Sequence, residues 1–290
     1  MDLASFLVQC LNAVQYGLLL FLVASGLTLI FGIMGVINLA HGSFYMVGAY
    51  LAFWLSTALH LPFLVMLVVG IALAGALGFV LEWVFFSYLY HRGHLQQVLM
   101  TYGLILIFDE LRSLLAGNDV HGVAAPAWLS GSFALGGLMS YPWYRLFAAA
   151  ACVVVALLLY VLIHRTRLGM MVRAGASNRD MVRGLGINIR MLYRAVFAGG
   201  VVFAALAGMI SAPMSSVYPG MGLSILIISF VVVVIGGIGS ISGALVASLL
   251  VGFVDTFGKV FFQGYSGVGI YLLMAIVLIW RPEGLARRSW

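Results

Sequence analysis

Charge is what this chain has least of. Only 8% of its 290 residues are Asp, Glu, Lys or Arg, 64% are hydrophobic, and the mean hydropathy is +1.17. No charged side chain stands between Asp2 and Glu82. A membrane-crossing helix needs about 20 apolar residues, so that stretch holds about three crossings. A water-soluble domain is excluded. Lysine is nearly absent too. Lys259 is the single one, and although it follows Gly258, Gly252 lies one position too far away and Val260 replaces the hydroxyl that a GxxxxGK[ST] phosphate loop requires. The chain cannot hydrolyse ATP by that route. Cys10 and Cys152 sit in apolar segments with no CxxC or Cys/His spacing, so neither a disulfide framework nor a metal site is legible. His41, His60, His91, His94, His121 and His164 are scattered, HExxH and GxSxG are missing, and no catalytic constellation emerges.

What is present reads as an all-α polytopic membrane protein. A single transmembrane domain over residues 1–290 would bundle about 8 to 9 transmembrane or re-entrant helices, broken at Gly-rich segments. The expected spans are Phe6–Phe31, Leu39–Ala58, Leu61–Phe86, Leu95–Ala116, Tyr144–Ile163, Ala195–Ala212, Leu223–Ile238, Ser242–Phe262 and Val268–Trp280. The first has no basic region ahead of it and outruns the core of a cleavable signal, so it is expected to be retained. Residues Gly220 to Val254 are uncharged for 35 positions, too many for one span. Their centre, Gly236-Gly237-Ile238-Gly239-Ser240, predicts a tight turn or a re-entrant break. Gly32, Gly35, Ile37, Ala40, Val47 and Gly48 recur 204 positions later as Gly236, Gly239, Ile241, Ala244, Val251 and Gly252. Internal duplication and chance both account for this in a Gly-rich chain. Small residues every fourth position, as in Gly200, Ala204, Gly208 and Ala212, predict closely approaching helices.

Seven of the fourteen basic residues fall in the loop 164–194: Arg165, Arg167, Arg173, Arg179, Arg183, Arg190 and Arg194. By the positive-inside rule that loop, the tail with Arg281, Arg287 and Arg288, and His91-Arg92-Gly93-His94 belong in the cytoplasm. The loop 117–142 has Asp119 and no Lys or Arg, as an exported loop should, and counting spans back puts the N-terminus outside. Basic residues clustered beside apolar spans argue against nucleic acid as a partner.

Within the basic loop, Ser177-Asn178-Arg179-Asp180 matches a capping box, with Ser177 as the cap. The helix it opens has an apolar side of Met181, Val182 and Leu185, a charged side with Arg179 and Arg183, and ends at Gly184 and Gly186. So short a helix needs support from the bundle or a partner. One reading is a basic loop held near anionic membrane lipid by arginines contributing about 1 kcal/mol each; the other is a helix that docks a cytoplasmic motor. Asp255 and Lys259, and Asp109 and Arg112, have ion-pair spacing, while Glu110 is left over and Glu82 is expected to meet Arg92. Asn38 and His41, in the first glycine break, could line a polar path or satisfy freed backbone groups. Trp54, Trp128, Trp143 and Trp280 fall near span ends, where interfacial anchors belong.

Four ordered segments carry a resemblance: Gly26 through Ser43; Arg173-Ala174 through Asn178-Arg179-Asp180 to Asn188; Gly236 through Ser240 with Gly243; and Arg281-Pro282-Glu283-Gly284-Leu285. Together they resemble permease subunits of branched-chain amino-acid type ABC importers, over nearly the whole chain. The resemblance implies a bacterial inner-membrane permease paired with a second, homologous permease, two cytoplasmic ATPase subunits that use ATP and Mg, and a periplasmic solute-binding protein. It implies no cofactor on this chain. It places Arg173, Ser177, Asn178, Arg179, Asp180, Met181, Arg183, Leu185 and Gly186 at the ATPase-coupling position. Asn38, His41, Ser43, Gly236, Gly237, Gly239 and Ser240 are the candidates for the translocation path. Ser43 stands where many members carry an acidic residue. Urea, amides and aromatic acids are alternative substrates within that family, and an ion-gradient-driven transporter using Asp109, Glu110 or Asp255 is the rival outside it.

Overall fold

The computed structural model describes residues 2–90, 92–135, 139–262 and 266–286. The side chains of Arg179 and Asp180, like His91, Arg287 and Arg288, lie outside the described residues. Among the described residues, nine helices occupy the nine expected spans: α1 (Leu3–Met34), α2 (His41–Thr57), α3 (Phe63–Leu81, extended by a π turn at Glu82–Phe86 and a last turn Ser87–Leu89), α4 (His94–Ala116), α5 (Trp143–Arg165), α8 (Ile189–Ser215), α9 (Met221–Gly236), α10 (Ile241–Phe261) and α11 (Ser266–Trp280). Two short helices, α6 (Arg167–Ser177) and α7 (Arg179–Gly184), fill the basic loop. The 117–142 loop carries a two-stranded antiparallel hairpin, β1 (Ser132–Leu135) and β2 (Met139–Pro142), with Phe133 opposite Tyr141. By length and composition α1, α3 with its extension, α5, α8 and α10 are long and apolar enough to cross a membrane, and α9 and α11 are shorter apolar helices. The chain is a multi-pass membrane protein.

Glycine sets the helix ends. Gly35, at φ 64°, caps α1 and returns its N–H to Phe31 O, a conformation an L side chain resists. Gly237, at φ 96°, does the same for α9. The chain then enters α10 through Ser240, whose hydroxyl accepts from Gly243 N at 3.1 Å.

The first break differs from an ordinary turn. His41 opens α2, and its Nε2–H donates to Val23 O at 3.0 Å. Val23 lies 11 residues before the end of α1, about 16 Å along its axis. Residues 35–40 therefore double back beside α1, and α2 begins deep within the bundle. Gly32 to Gly48 and Gly236 to Gly252 share a helix, break, helix course, with positive φ at both Gly35 and Gly239. Gly48 and Gly252 both sit at backbone contacts, the first against Ala205 of α8 and the second against Ala13 of α1.

Helix α1 is the axis of the bundle. Its outer half packs on α10, where a Cβ on Gly17 would fall 2.9 Å from Ser248 O, and its inner half on α8, where one on Gly26 would fall 2.6 Å from Gly200 O. The predicted small-residue face of α8 is used in full. Gly200 meets α1, Gly208 meets the backbone of Tyr45 and Ala49 on α2, and Ala204 and Ala212 are completely buried. Such contacts supply dispersion where lipid offers no hydrophobic drive.

Three expectations are corrected. Asn178, not Ser177, caps α7: its Oδ1 accepts from Met181 N at 3.0 Å, and Ser177 instead closes α6. Extended backbone at 178 puts the amide side chain in reach of the third N–H, and Ser177 is already helical. Glu82 meets Arg194 at 3.1 Å rather than Arg92, because α3 packs along α8 and brings Glu82 beside the start of that helix. The helix assigned to Ala195 starts at Ile189, capped by Asn188 Oδ1, so Arg190 and Arg194 are helical.

Backbone contact at Gly48 sets the first test. Gly48→Val should destabilise the folded chain by about 3 kcal/mol or more, while Gly103→Val on α4, with open space around it, should be neutral. Thermal unfolding in detergent reads both.

Candidate functional site

The bundle has two chemically distinct ends. At one end lie the start of α1, the 117–142 loop, the start of α5, and the ends of α8 and α10. His121 and Val217 exchange backbone hydrogen bonds at 2.8 Å there, and Phe53 of α2 stacks on His121 at 4.3 Å. Arg112 ties the end of α4 down by donating to Asp109 and to Gly117 O.

A cleft of about 670 Å³ opens between α1, α2, α5, α8, α9 and α10 at this end. Its polar wall comes from Gln9, Asn12, Gln15 and Tyr16 of α1, Arg145 of α5, and Asp255 and Lys259 of α10. Asp255 is only 5% exposed and pairs with Lys259 at 2.5 Å. Lys259 Nζ also stands 5.4 Å from the centre of the Tyr16 ring. Arg145 Nη1 donates to Asn12 Oδ1 at 2.5 Å. Deeper in, the Tyr45 hydroxyl and Ser211 Oγ lie 2.6 Å apart and bridge α2 to α8. Leu19, Leu20, Met214, Met221, Ile225 and Ile228 give the apolar part of the lining.

None of the seven residues marked for a path lines this cleft. Asn38 and His41 are fully buried at the first break, and Ser43 is 5% exposed. Asn38 Oδ1 accepts from Ala40 N, so both side chains serve the broken backbone, while Asn38 Nδ2 and His41 Nδ1 take no partner among the described residues. Gly236, Gly237, Gly239 and Ser240 sit at the opposite end. There the C-terminal turn closes over them: Leu285 N donates to Ile235 O at 2.8 Å and Ala286 N to Gly236 O at 3.2 Å. Two separate sequence motifs thus form one structural unit. Asp255 and Lys259 form the expected pair but belong to the cleft wall, and Gln9, Asn12, Tyr16 and Arg145 were missed. The signal was available: Gln9, Asn12 and Tyr16 are spaced as one helical face in an otherwise apolar span.

The other end carries the arginines. Thr166 caps α6 by accepting from Gly169 N, and Arg173 Nη1 donates to Ile163 O at 2.6 Å, closing the last turn of α5. On α7, Val182 is 3% exposed and packs inward, whereas Met181 at 67% and Leu185 at 75% project outward. Gly186, at φ 81°, turns the chain toward α8. Beneath this segment, fully buried Glu82 accepts from Arg194 Nε at 3.1 Å and from the Tyr90 hydroxyl at 2.5 Å, joining α3 to the first turns of α8.

Residues 9–278 match the model of a family described as "Branched-chain amino acid transport system / permease component". The chain belongs to that family. Among its relatives, the "High-affinity branched-chain amino acid transport system permease protein BraD" of Pseudomonas aeruginosa is 32% identical, over 99% of this chain and 97% of that protein. The permease protein LivH of the Escherichia coli K12 system of the same description is 29% identical, over 98% of this chain and 96% of its own. LivM, a second permease protein of that system in the same organism, is 27% identical over 90% of this chain and 66% of its own length. This chain is therefore a permease component of a transport system.

Removing one partner from a buried pair leaves a desolvated charge. Glu82→Gln should lower stability by about 2 kcal/mol, less than a fully buried pair would lose because Arg194 retains some solvent. Glu82→Gln combined with Arg194→Met should recover part of that loss in detergent melting experiments.

Proposed function

We propose that this chain is one permease subunit of an ATP-driven importer that carries branched-chain amino acids into a bacterial cell across the inner membrane. The observation that carries this reading is the end-to-end match to permease proteins whose names specify that transport system. LivH and LivM, two permease proteins of one system, both align with this chain, which supports a homologous second permease as its partner. Two cytoplasmic ATPases, which would bind ATP and Mg, and a periplasmic solute-binding protein complete the complex.

In this reading the arginine end and the C-terminus face the cytoplasm, and the N-terminus and the cleft face the periplasm. The binding protein docks on the 117–142 loop and releases substrate toward the cleft. ATP binding draws the ATPases together against α6 and α7, where Met181 and Leu185 offer apolar side chains to a partner surface. That push reaches α8 through Gly186 and Asn188, and α3 through the Glu82–Arg194 contact. The spans then reorient about the backbone contacts of α1, α2 and α8, giving alternating access without chemistry on this chain. A gradient-driven mechanism finds less support, since Asp109 and Asp255 are both held in ion pairs.

Two measurements test this. The tagged chain, recovered in mild detergent and weighed as an intact complex, should carry a second permease and two ATPase subunits; recovery alone or as a homo-oligomer would remove the importer reading. Leu185→Asp should leave the complex assembled but reduce transport at least about tenfold while ATP hydrolysis continues, because a buried carboxylate weakens apolar docking. Wild-type transport by that variant would exclude α7 from the coupling contact.

A further inference from the structure

The cleft sets opposite charges on different walls. On α10, Lys259 engages Asp255 Oδ2, and no described residue bonds Oδ1. Lys259 itself is 60% exposed along its side chain, so solvent competes for its ammonium. On α5, Arg145 gives Nη1 to Asn12, and the Tyr141 hydroxyl lies against the same guanidinium. A guanidinium has five N–H donors, and these contacts leave some uncommitted. The carboxylate is not an enclosed orphan but opens on the cleft through Oδ1, where a ligand can reach it. Packing does not require it, since α10 is already fixed to α1 through Gly17 and Gly252.

Apolar groups fill the space around these charges. Leu19 and Leu20 of α1, Met214 of α8, and Ile225 and Ile228 of α9 line the same cleft. At about 670 Å³ it falls within the size of small-molecule sites and leaves room for an amino acid with several waters. One cation, one anion and an apolar wall match the three recognisable parts of an aliphatic α-amino acid.

We propose that the cleft is a recognition site for a zwitterionic aliphatic amino acid, with Arg145 taking the α-carboxylate, Asp255 Oδ1 taking the α-ammonium, and the Leu19, Ile225 and Ile228 surface taking the side chain. The proposal rests on the importer reading and assigns substrate selection to the permease in addition to the binding protein. Affinity is weak, because a site on a transport route must release what it binds. Lys259 partly neutralises Asp255 through Oδ2 while the cleft is empty, and Oδ1 stays open to the substrate ammonium.

The test is saturation-transfer NMR on the intact purified complex, without binding protein, using L-leucine, 4-methylpentanoate and 3-methylbutylamine. Leucine should bind in the millimolar range, and each single-charge analogue at least about tenfold more weakly, as loss of one charge-assisted contact requires. Arg145→Gln should weaken leucine about tenfold while leaving 3-methylbutylamine unchanged. Asp255→Asn should weaken leucine while leaving 4-methylpentanoate no weaker. The analogue comparison needs only wild-type protein, so a variant that fails to assemble does not spare the proposal. Equal binding of all three ligands, no leucine signal, or leucine binding indifferent to both substitutions would overturn it. Leucine uptake driven by ATP and binding protein is measured on the same preparation reconstituted in liposomes. Uptake without cleft selectivity sinks this proposal alone, whereas an assembled complex with no uptake sinks the importer reading.

Discussion

The rest of the structure depends on helix backbones touching one another where side chains are missing. Lipid is as apolar as leucine, so two apolar helices in a bilayer gain little from avoiding it, and close dispersion contact has to hold them. Here α1, α2, α8 and α10 meet through Gly17, Gly26, Gly48, Gly200, Gly208 and Gly252. A Cβ at any of these would strike the backbone or a buried side chain of a neighbour. The same contacts fix where everything else stands. They bring the polar face of α1 to the cleft, carry His41 to the carbonyl of Val23, and give α8 a firm path from the arginine end to Ser211.

Around that rigid centre the two ends are made differently. The cleft end is held by side chains reaching across the gap between helices, such as Arg145 to Asn12 and Tyr45 to Ser211. The arginine end adds caps and helix-end contacts to its one side-chain bridge at Glu82: Thr166, Asn178 and Asn188 each satisfy a helix start, and Arg173 satisfies a helix end. Side-chain bridges are replaced easily when helices shift, while caps keep short helices intact as they move.

Much of the architecture was legible because a bilayer leaves few options. Nine apolar runs became nine apolar helices, and the small-residue face of α8 and the pairs Asp255–Lys259 and Asp109–Arg112 formed as their spacing requires. What stayed hidden depended on direction rather than composition. Glu82 meets Arg194 instead of Arg92 because α3 packs along α8, a tertiary contact that local spacing does not report. The choice between Ser177 and Asn178 as cap turned on which residue leaves helical geometry, a matter of one position. The doubling back of residues 35–40 is a tertiary fact with no periodicity of its own. The cleft was hidden for another reason: its walls come from six helices spread along the sequence, and only the α1 stripe leaves a local trace.

The C-terminal turn over the break between α9 and α10 has a consequence for how the molecule is made. Ile235 O and Gly236 O receive their partners from Leu285 and Ala286, residues synthesised two whole helices later. Until then the break has open carbonyls, and the positive-φ glycines at 237 and 239 leave it free to hinge. These two backbone hydrogen bonds therefore form only after α10 and α11 have been made, so the break is held by a segment remote from it in sequence.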